Sequence, residues 1–365
     1  MLNLIPLEYY TNFYFIVLSI VIVLFYTYTQ FVSFETKIKF NKQYLKFLGY
    51  FALFFTILYM GLRPISGRYF GDMSTYNAIF EQLKIYGTAA LPSNDKFYYY
   101  YMYIVSIFGS AEFFFLLSSF LYTIPLFLAS KRIFGKYWCY AFLVLVSSLS
   151  FWAYGTNGLR NGLATSIFLL VFSFKNIFIR LILVIIAVSI HSSMLIPLAA
   201  YILASTVKRV KLLLYGWLLA IPLSLVAGGF FQGLFASLIQ DDRTSYLTEG
   251  NINNDSFSST GFRWDFLIYS AVPVVIGYIF AIRNQSKDRL YEVILGTYLI
   301  SNAFWILVIK ANFSNRFAYL SWFMMGLVIV YPFLYSDHSK RKHQILGHIS
   351  LVYFLFAFIM NMSFK

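Results

Sequence analysis

Apolar runs of roughly 18 to 22 residues recur from one end of the chain to the other, each long enough to cross the ~30 Å hydrocarbon layer as a helix. In lipid, a helix satisfies every backbone donor and acceptor within its own segment, so such runs predict helices rather than strands. The approximate segments are 12–32, 46–62, 112–130, 137–154, 157–174, 177–190, 192–206, 212–229, 264–282, 291–310, 317–335 and 346–363, or about twelve crossings. The run Phe97 to Gly109 (FYYYYMYIVSIFG) is apolar, but at about thirteen residues it is short for a span. Its tyrosines favour the headgroup level, which predicts an interfacial or re-entrant helix. The first apolar stretch lacks the basic flank and small-residue cleavage site of a signal peptide and reads as a retained span. The expected fold is all-α: one polytopic transmembrane helix bundle over residues 1–365. Two larger loops, 63–96 (continuing into 97–109) and 230–262, share one face.

Composition supports this reading, since 60% hydrophobic, 22% aromatic and 12% charged residues lie outside the range of a soluble domain. Charge then orients it. Eighteen of the 28 Lys and Arg residues fall at 37–46, 131–136, 175–180, 208–211, 283–289 and 340–342. Only Glu35, Asp288, Glu292 and Asp337 accompany them, so these loops carry the whole formal net charge of +14. Short loops enriched in Lys and Arg are cytoplasmic, which places both termini and both long loops outside. A further crossing at 97–109 would put the basic loop at 131–136 on the wrong side. The positive charge therefore reports topology and contact with anionic membrane lipid, not nucleic-acid binding. Cys139 is the only cysteine, so an intramolecular disulfide and a CxxC metal site are excluded.

With that orientation the unusual polar residues gather outside. Arg63, Arg68, Arg160, Arg243, Arg263 and Arg316 all lie near outer span ends, and an arginine fork suits phosphate or carboxylate. The bland alternative is snorkelling to headgroups or pairing with a loop carboxylate. His191 interrupts the apolar stretch LILVIIAVSIHSSMLIPLAAYIL; it serves either as a base or phosphate contact, or as a satisfied structural residue. Asp72 precedes an amphipathic helix in which Tyr76, Ile79, Phe80 and Leu83 recur at helical spacing. It could accept a proton from an attacking hydroxyl, cap that helix, or both. Patterns for nucleotide hydrolysis, zinc proteolysis and a nucleophile elbow are absent. Span centres hold almost no ionisable residues, which weakens an ion-coupled transporter reading.

Four stretches carry a family resemblance: GLRPISGRYFGDMSTYNAIFE (Gly61 to Glu81), GLRNGLATSIFLL (Gly158 to Leu170), HSSMLIPLAAY (His191 to Tyr201) and SNRFAYLSWF (Ser314 to Phe323). In order and spacing the chain resembles the EpsG/Wzy-type membrane polymerases of bacterial surface polysaccharides, including O-antigen polymerases, over about residues 45 to 335. The resemblance implies a membrane glycosyltransferase of the bacterial inner membrane. It would join oligosaccharide repeat units carried on undecaprenyl diphosphate at the periplasmic face, without nucleotide sugar, cofactor or metal. A chain-length regulator of the Wzz type is the expected partner. Arg63, Arg68 and Arg160 are then expected on the diphosphate, and Arg243 and Arg316 on diphosphate or acceptor. Asp72 and His191 are rival bases; Tyr76, Arg263, Asp265 and Asn315 are sugar contacts. A repeat-unit flippase should show two related halves, a ligase needs a lipid-core acceptor, and an acyltransferase would place an ionisable partner within the His motif. None of these is as well matched.

Overall fold

A computed structural model describes residues 5–31, 39–238, 261–284, 288–311, 314–335 and 342–363. Every regular element among them is helical. The chain divides into two compact units, Met1–His191 with Phe333–Lys365, and Ser192–Pro332. Among the described residues, eight helical stretches are long and apolar enough to cross a membrane. Leu159–Ser173, Ile177–Ile190 and Ser192–Thr206 are shorter apolar helices. The expected polytopic helical architecture is thus present.

In the first unit the helices run α1 (Leu7–Phe31), α2 (Lys39–Gly61), α3 (Gly67–Phe70), α4 (Met73–Tyr86), α5 (Lys96–Phe108), α6 (Ala111–Phe134), α7 (Trp138–Val146), α8 (Leu149–Thr156), α9 (Leu159–Leu170) and α10 (Ile177–Ile190). The second unit adds α11 (Leu195–Thr206), α12 (Val210–Leu238), α13 (Trp264–Gly277), α14 (Arg289–Leu307) and α15 (Ser314–Trp322). Then come α16 (Met325–Tyr335), which reaches the unit boundary, and α17 (Lys342–Ser363), which packs back on α1.

The expected span at 112–130 is one helix, α6; the chain turns at Gly135 after it, and α7 packs back on α6 with Trp138 edge-on to Phe127. The expected span at 137–154 is broken between α7 and α8. There Ser147 turns its hydroxyl onto the carbonyl of Leu143 at 2.6 Å and Ser148 is extended, as serines that compete with the backbone ladder tend to do. The 97–109 segment is α5, a thirteen-residue helix whose Tyr98, Tyr99, Met102, Val105 and Ser106 are buried while Phe97, Tyr100, Ile104, Ile107 and Phe108 are exposed. At ~1.5 Å per residue it spans about 20 Å, less than a bilayer core.

Contacts inside the first unit sort to two ends. At one, Tyr28 meets Tyr44 and His343, Tyr140 hydrogen-bonds His343, and Arg132 lies 3.9 Å over Phe174. These residues flank the Lys- and Arg-rich loops. At the other end Tyr10 and Tyr59 stack at 4.2 Å and exchange hydroxyl-to-carbonyl hydrogen bonds of 2.7 and 2.8 Å.

The second unit is tied by buried amide and hydroxyl groups. Trp217 donates to Asn302 Oδ1 at 2.8 Å, and Asn302 donates to Ser270 and Ser321 at 3.2 and 3.0 Å. Trp322 donates to Ser270 at 2.7 Å. The network links α12, α13, α14 and α15, and small polar residues of this kind are the usual adhesive between helices in lipid.

Candidate functional site

The polar end of the first unit is assembled by three backbone devices. Ser66 caps the single turn of α3, accepting from the Tyr69 amide. Gly71 follows with φ +54, and a Cβ there would lie 2.4 Å from Asn157 Oδ1. Only glycine supplies that conformation at that approach. Asn157, in the turn between α8 and α9, then accepts from the Asp72 amide at 2.7 Å, joining the first outer loop to the start of α9. Gly155 in the same turn region is as tightly placed, since a Cβ there would collide with Met60 of α2.

Arg160 occupies the first turn of α9, where the positive end of the helix dipole disfavours a cation. An anion is supplied from 65 residues upstream: Arg160 Nη1 donates to Asp95 Oδ2 at 2.7 Å. The same oxygen lies 3.9 Å from Nδ1 of His191, the residue that ends α10. Asp95 immediately precedes α5 and is the one non-glycine residue with positive φ among the described residues, at φ 48 and ψ 41. Its side chain is 5% exposed and that of His191 3%, whereas Arg160 keeps 18%. Arg160 is thus the most exposed member of the cluster.

Aromatic groups wall this cluster. Arg160 sits over Tyr99 at 5.7 Å and is in hydrogen-bond contact with the hydroxyl of Tyr76. Burial pushes the Tyr76 phenol up from its ordinary value while Arg160 pulls against that, so at neutral pH it stays protonated. Tyr76 also packs near Tyr98 of α5, with ring centroids 5.8 Å apart.

The expected site residues fare differently. Arg160, His191 and Tyr76 come together. Asp72 stands at the N-cap position of α4, exposed, and its side chain makes no capping hydrogen bond. Arg68 is exposed beside its own neighbour Tyr69. Arg63 is 1% exposed; it donates to the carbonyls of Met60 and Thr156, the latter at 3.0 Å, and lies over Phe70 and Phe115. In the second unit Arg263 grips Asp265 through two hydrogen bonds of 2.9 and 2.6 Å and covers Phe266. Asn315 hydrogen-bonds Tyr319, which also feels the charges of Arg316 and Arg263. Arg243 lies outside the described residues.

Sequence reading passed over Asp95. Its signal is an acid at the junction between the first outer loop and the aromatic run, in Asn94-Asp95-Lys96. That junction reads as an ordinary helix cap, and neither the left-handed backbone nor the two distant partners leave a mark in local sequence.

Fold and cluster define a class: a multi-pass helical membrane protein with a buried acid, a histidine and an arginine converging at one end of a helical unit. Residues 46–365 match the family model described as the EpsG family, and the chain belongs to that family of Wzy-type, polysaccharide-polymerase-like membrane proteins. No curated protein and no solved structure matches the chain. The family match contains all four resembling stretches, and the first three meet in the cluster just described through Tyr76, Arg160 and His191.

Proposed function

We propose that the protein is a surface-polysaccharide polymerase that joins oligosaccharide repeat units carried on undecaprenyl diphosphate, at the periplasmic face of a bacterial inner membrane. The observation that carries the reading is the Arg160–Asp95–His191 convergence within an EpsG-family chain. A glycosyl diphosphate needs a fixed cation at the leaving group and a base at the acceptor, and this cluster offers both side by side.

The chemistry follows from the roles. The acceptor hydroxyl oxygen attacks the anomeric carbon of the donor sugar, forming the new glycosidic C–O bond. The anomeric C–O bond to phosphate breaks, and its electron pair leaves on the diphosphate, which remains attached to its polyprenyl chain. Arg160 compensates the charge that develops there, and an arginine fork does so without metal. His191 takes the acceptor proton, with Asp72 as the rival base. Tyr76, whose hydroxyl meets Arg160, contributes a polar contact to a sugar. Arg68 reaches the diphosphate from the loop.

Helix length supports a site sunk into the membrane. With the Phe174–Asn176 turn at the cytoplasmic edge, the fourteen residues of α10 rise only about 21 Å of the ~30 Å core. His191 and Arg160 then lie below the outer surface, where a lipid-borne diphosphate can reach them without leaving the bilayer. The chain would cross twelve times: the eight long stretches, one of them a hairpin counted twice, and the three shorter helices. Both termini then lie outside.

The test is the polysaccharide ladder on a gel from cells lacking the protein, complemented with wild type, Arg160→Ala or His191→Ala. Single repeat units on the lipid core without the protein, a ladder with wild type and no ladder with either variant are expected. If single units are missing as well, the defect lies at flipping, ligation or earlier, and the polymerase reading is wrong.

A further inference from the structure

The second unit holds a cleft of about 420 Å³, within the ~300–1,000 Å³ range of small-molecule sites. One wall is the start of α12, where Lys208, Arg209 and Lys211 line it. The other is the turn after α13, Tyr278–Arg283, which packs on α12 and contributes Ala281 and Ile282. That turn is π-helical: the Asn284 amide reaches back to the Ile279 carbonyl at 2.9 Å. Turns of this width are rare and recur at functional positions. We propose that the cleft binds the phosphate headgroup of an anionic phospholipid from the leaflet on the basic-loop side, with the acyl chains lying along α12 and α13. The inference is independent of the polymerase reading.

Charge favours it first. Lys208, Arg209 and Lys211 are exposed, and among the described residues no carboxylate pairs with them. The acid that lines the cleft, Glu292, is already compensated by Arg289 at 3.3 Å. Arg289 in turn spends its other terminal nitrogen on the carbonyls of Ala204 and Ser205 at the end of α11. Three cations are therefore left to an incoming anion, which also meets the positive end of the α12 dipole. Basic pockets of this kind between membrane helices suit phospholipid headgroups.

The apolar surface beside the cations favours a lipid over a soluble anion. Along α12 the following turns expose Leu212, Tyr215 and Leu219, one stripe at helical spacing, and α13 exposes Val275 and Tyr278. Lys211 lies 5.7 Å from the Tyr215 ring centroid, so cation and aromatic ring stand together as they do at the headgroup level. The basic run at 131–136 is built differently: Lys131, Arg132 and Lys136 each lie over an aromatic ring, and Arg132 also donates to the Ser173 carbonyl.

The experiment takes full-length protein in mild detergent, adds phosphatidylglycerol or phosphatidylcholine, and counts retained lipid by native mass spectrometry. Wild type should retain phosphatidylglycerol in preference, and the Lys208→Gln, Arg209→Gln, Lys211→Gln triple variant should lower that retention about tenfold or more. Lys131→Gln, Arg132→Gln, Lys136→Gln removes the same charge elsewhere and should leave retention near the wild-type level. Ala281→Phe fills the cleft without touching a charge, so it too should lower retention, and it carries the test should the triple variant fold poorly. Equal losses from the two triple variants, or wild-type retention by Ala281→Phe, would show that diffuse charge and not the cleft holds the lipid. Glycerol 3-phosphate should not displace the lipid at equal concentration; displacement would make the ligand a soluble phosphate and overturn the assignment.

Discussion

The Arg63 guanidinium, 1% exposed, donates to the carbonyl of Thr156 at 3.0 Å, 93 residues further along the chain. It also donates to Met60 and faces the rings of Phe70 and Phe115. A cation so enclosed ties the end of α2 to the end of α8. Arg63→Ala leaves two carbonyls without that donor and empties the space between two rings, so a loss of about 2–4 kcal/mol of stability is expected. Thermal melting in detergent, followed by size-exclusion fluorescence, checks this. A variant that melts like wild type yet makes no polymer would instead put Arg63 on the substrate.

Arg160→Lys separates charge from geometry. Lysine can keep an ion pair with Asp95, so the fold should hold, but it cannot present a planar fork to a diphosphate. Polymer yield at matched protein level should fall about tenfold or more, with little change in melting temperature. Unchanged yield would mean that a point charge is enough and that the fork has no part in the reaction.

How legible this was in the sequence differs by level. The helices follow from the length of each apolar run, because that signal is summed over many residues. Arg160 and His191 could be picked out because each interrupts an apolar stretch. What the pattern could not tell was which arginines pack inward. Arg63 and Arg160 both follow a Gly-Leu pair, yet one closes over two carbonyls of the backbone and the other over a carboxylate. The difference is set by residues 65 to 93 positions away. The break between α7 and α8 was hidden for the opposite reason: two serines in an apolar run are compatible with a continuous helix, and the extended backbone at Ser148 leaves no mark in the local pattern.

In the second unit the prediction concerns stability. Asn302 has one acceptor bond from Trp217 and two donor bonds to serines, all buried. Asn302→Leu removes the hub and leaves the indole of Trp217 without its acceptor, which should cost about 1–3 kcal/mol. The loss should appear as a lower melting temperature. An equal or higher value would show that apolar packing replaces the network.

Gly155 and Met60 offer a test of close packing at the site. A Cβ on residue 155 would fall 1.5 Å from the Met60 methyl, so Gly155→Ala forces that methionine side chain to repack beside the α8–α9 turn. Polymer yield should drop, because the same turn carries Asn157 and leads into Arg160. Met60→Ala in the same protein vacates that space and should restore part of the loss. Additive damage from the two changes would mean that they act independently.

Orientation is the last point open to direct measurement, and Cys139 makes it convenient. It is the sole cysteine and is buried, at 2% exposed, so wild type should be silent to an impermeant maleimide. Ser93 and Lys175 are both exposed, the first in the loop before Asp95 and the second in the turn between α9 and α10. With the basic loops inside, Ser93→Cys should label in spheroplasts and Lys175→Cys only after the membrane is opened. The two positions lie at opposite ends of one helical unit, so they must report opposite sides. The reverse pattern would place Arg160 and His191 on the cytoplasmic face. A repeat unit already delivered to the outer leaflet could not then reach them, and the polymerisation chemistry assigned to the cluster would have to be abandoned.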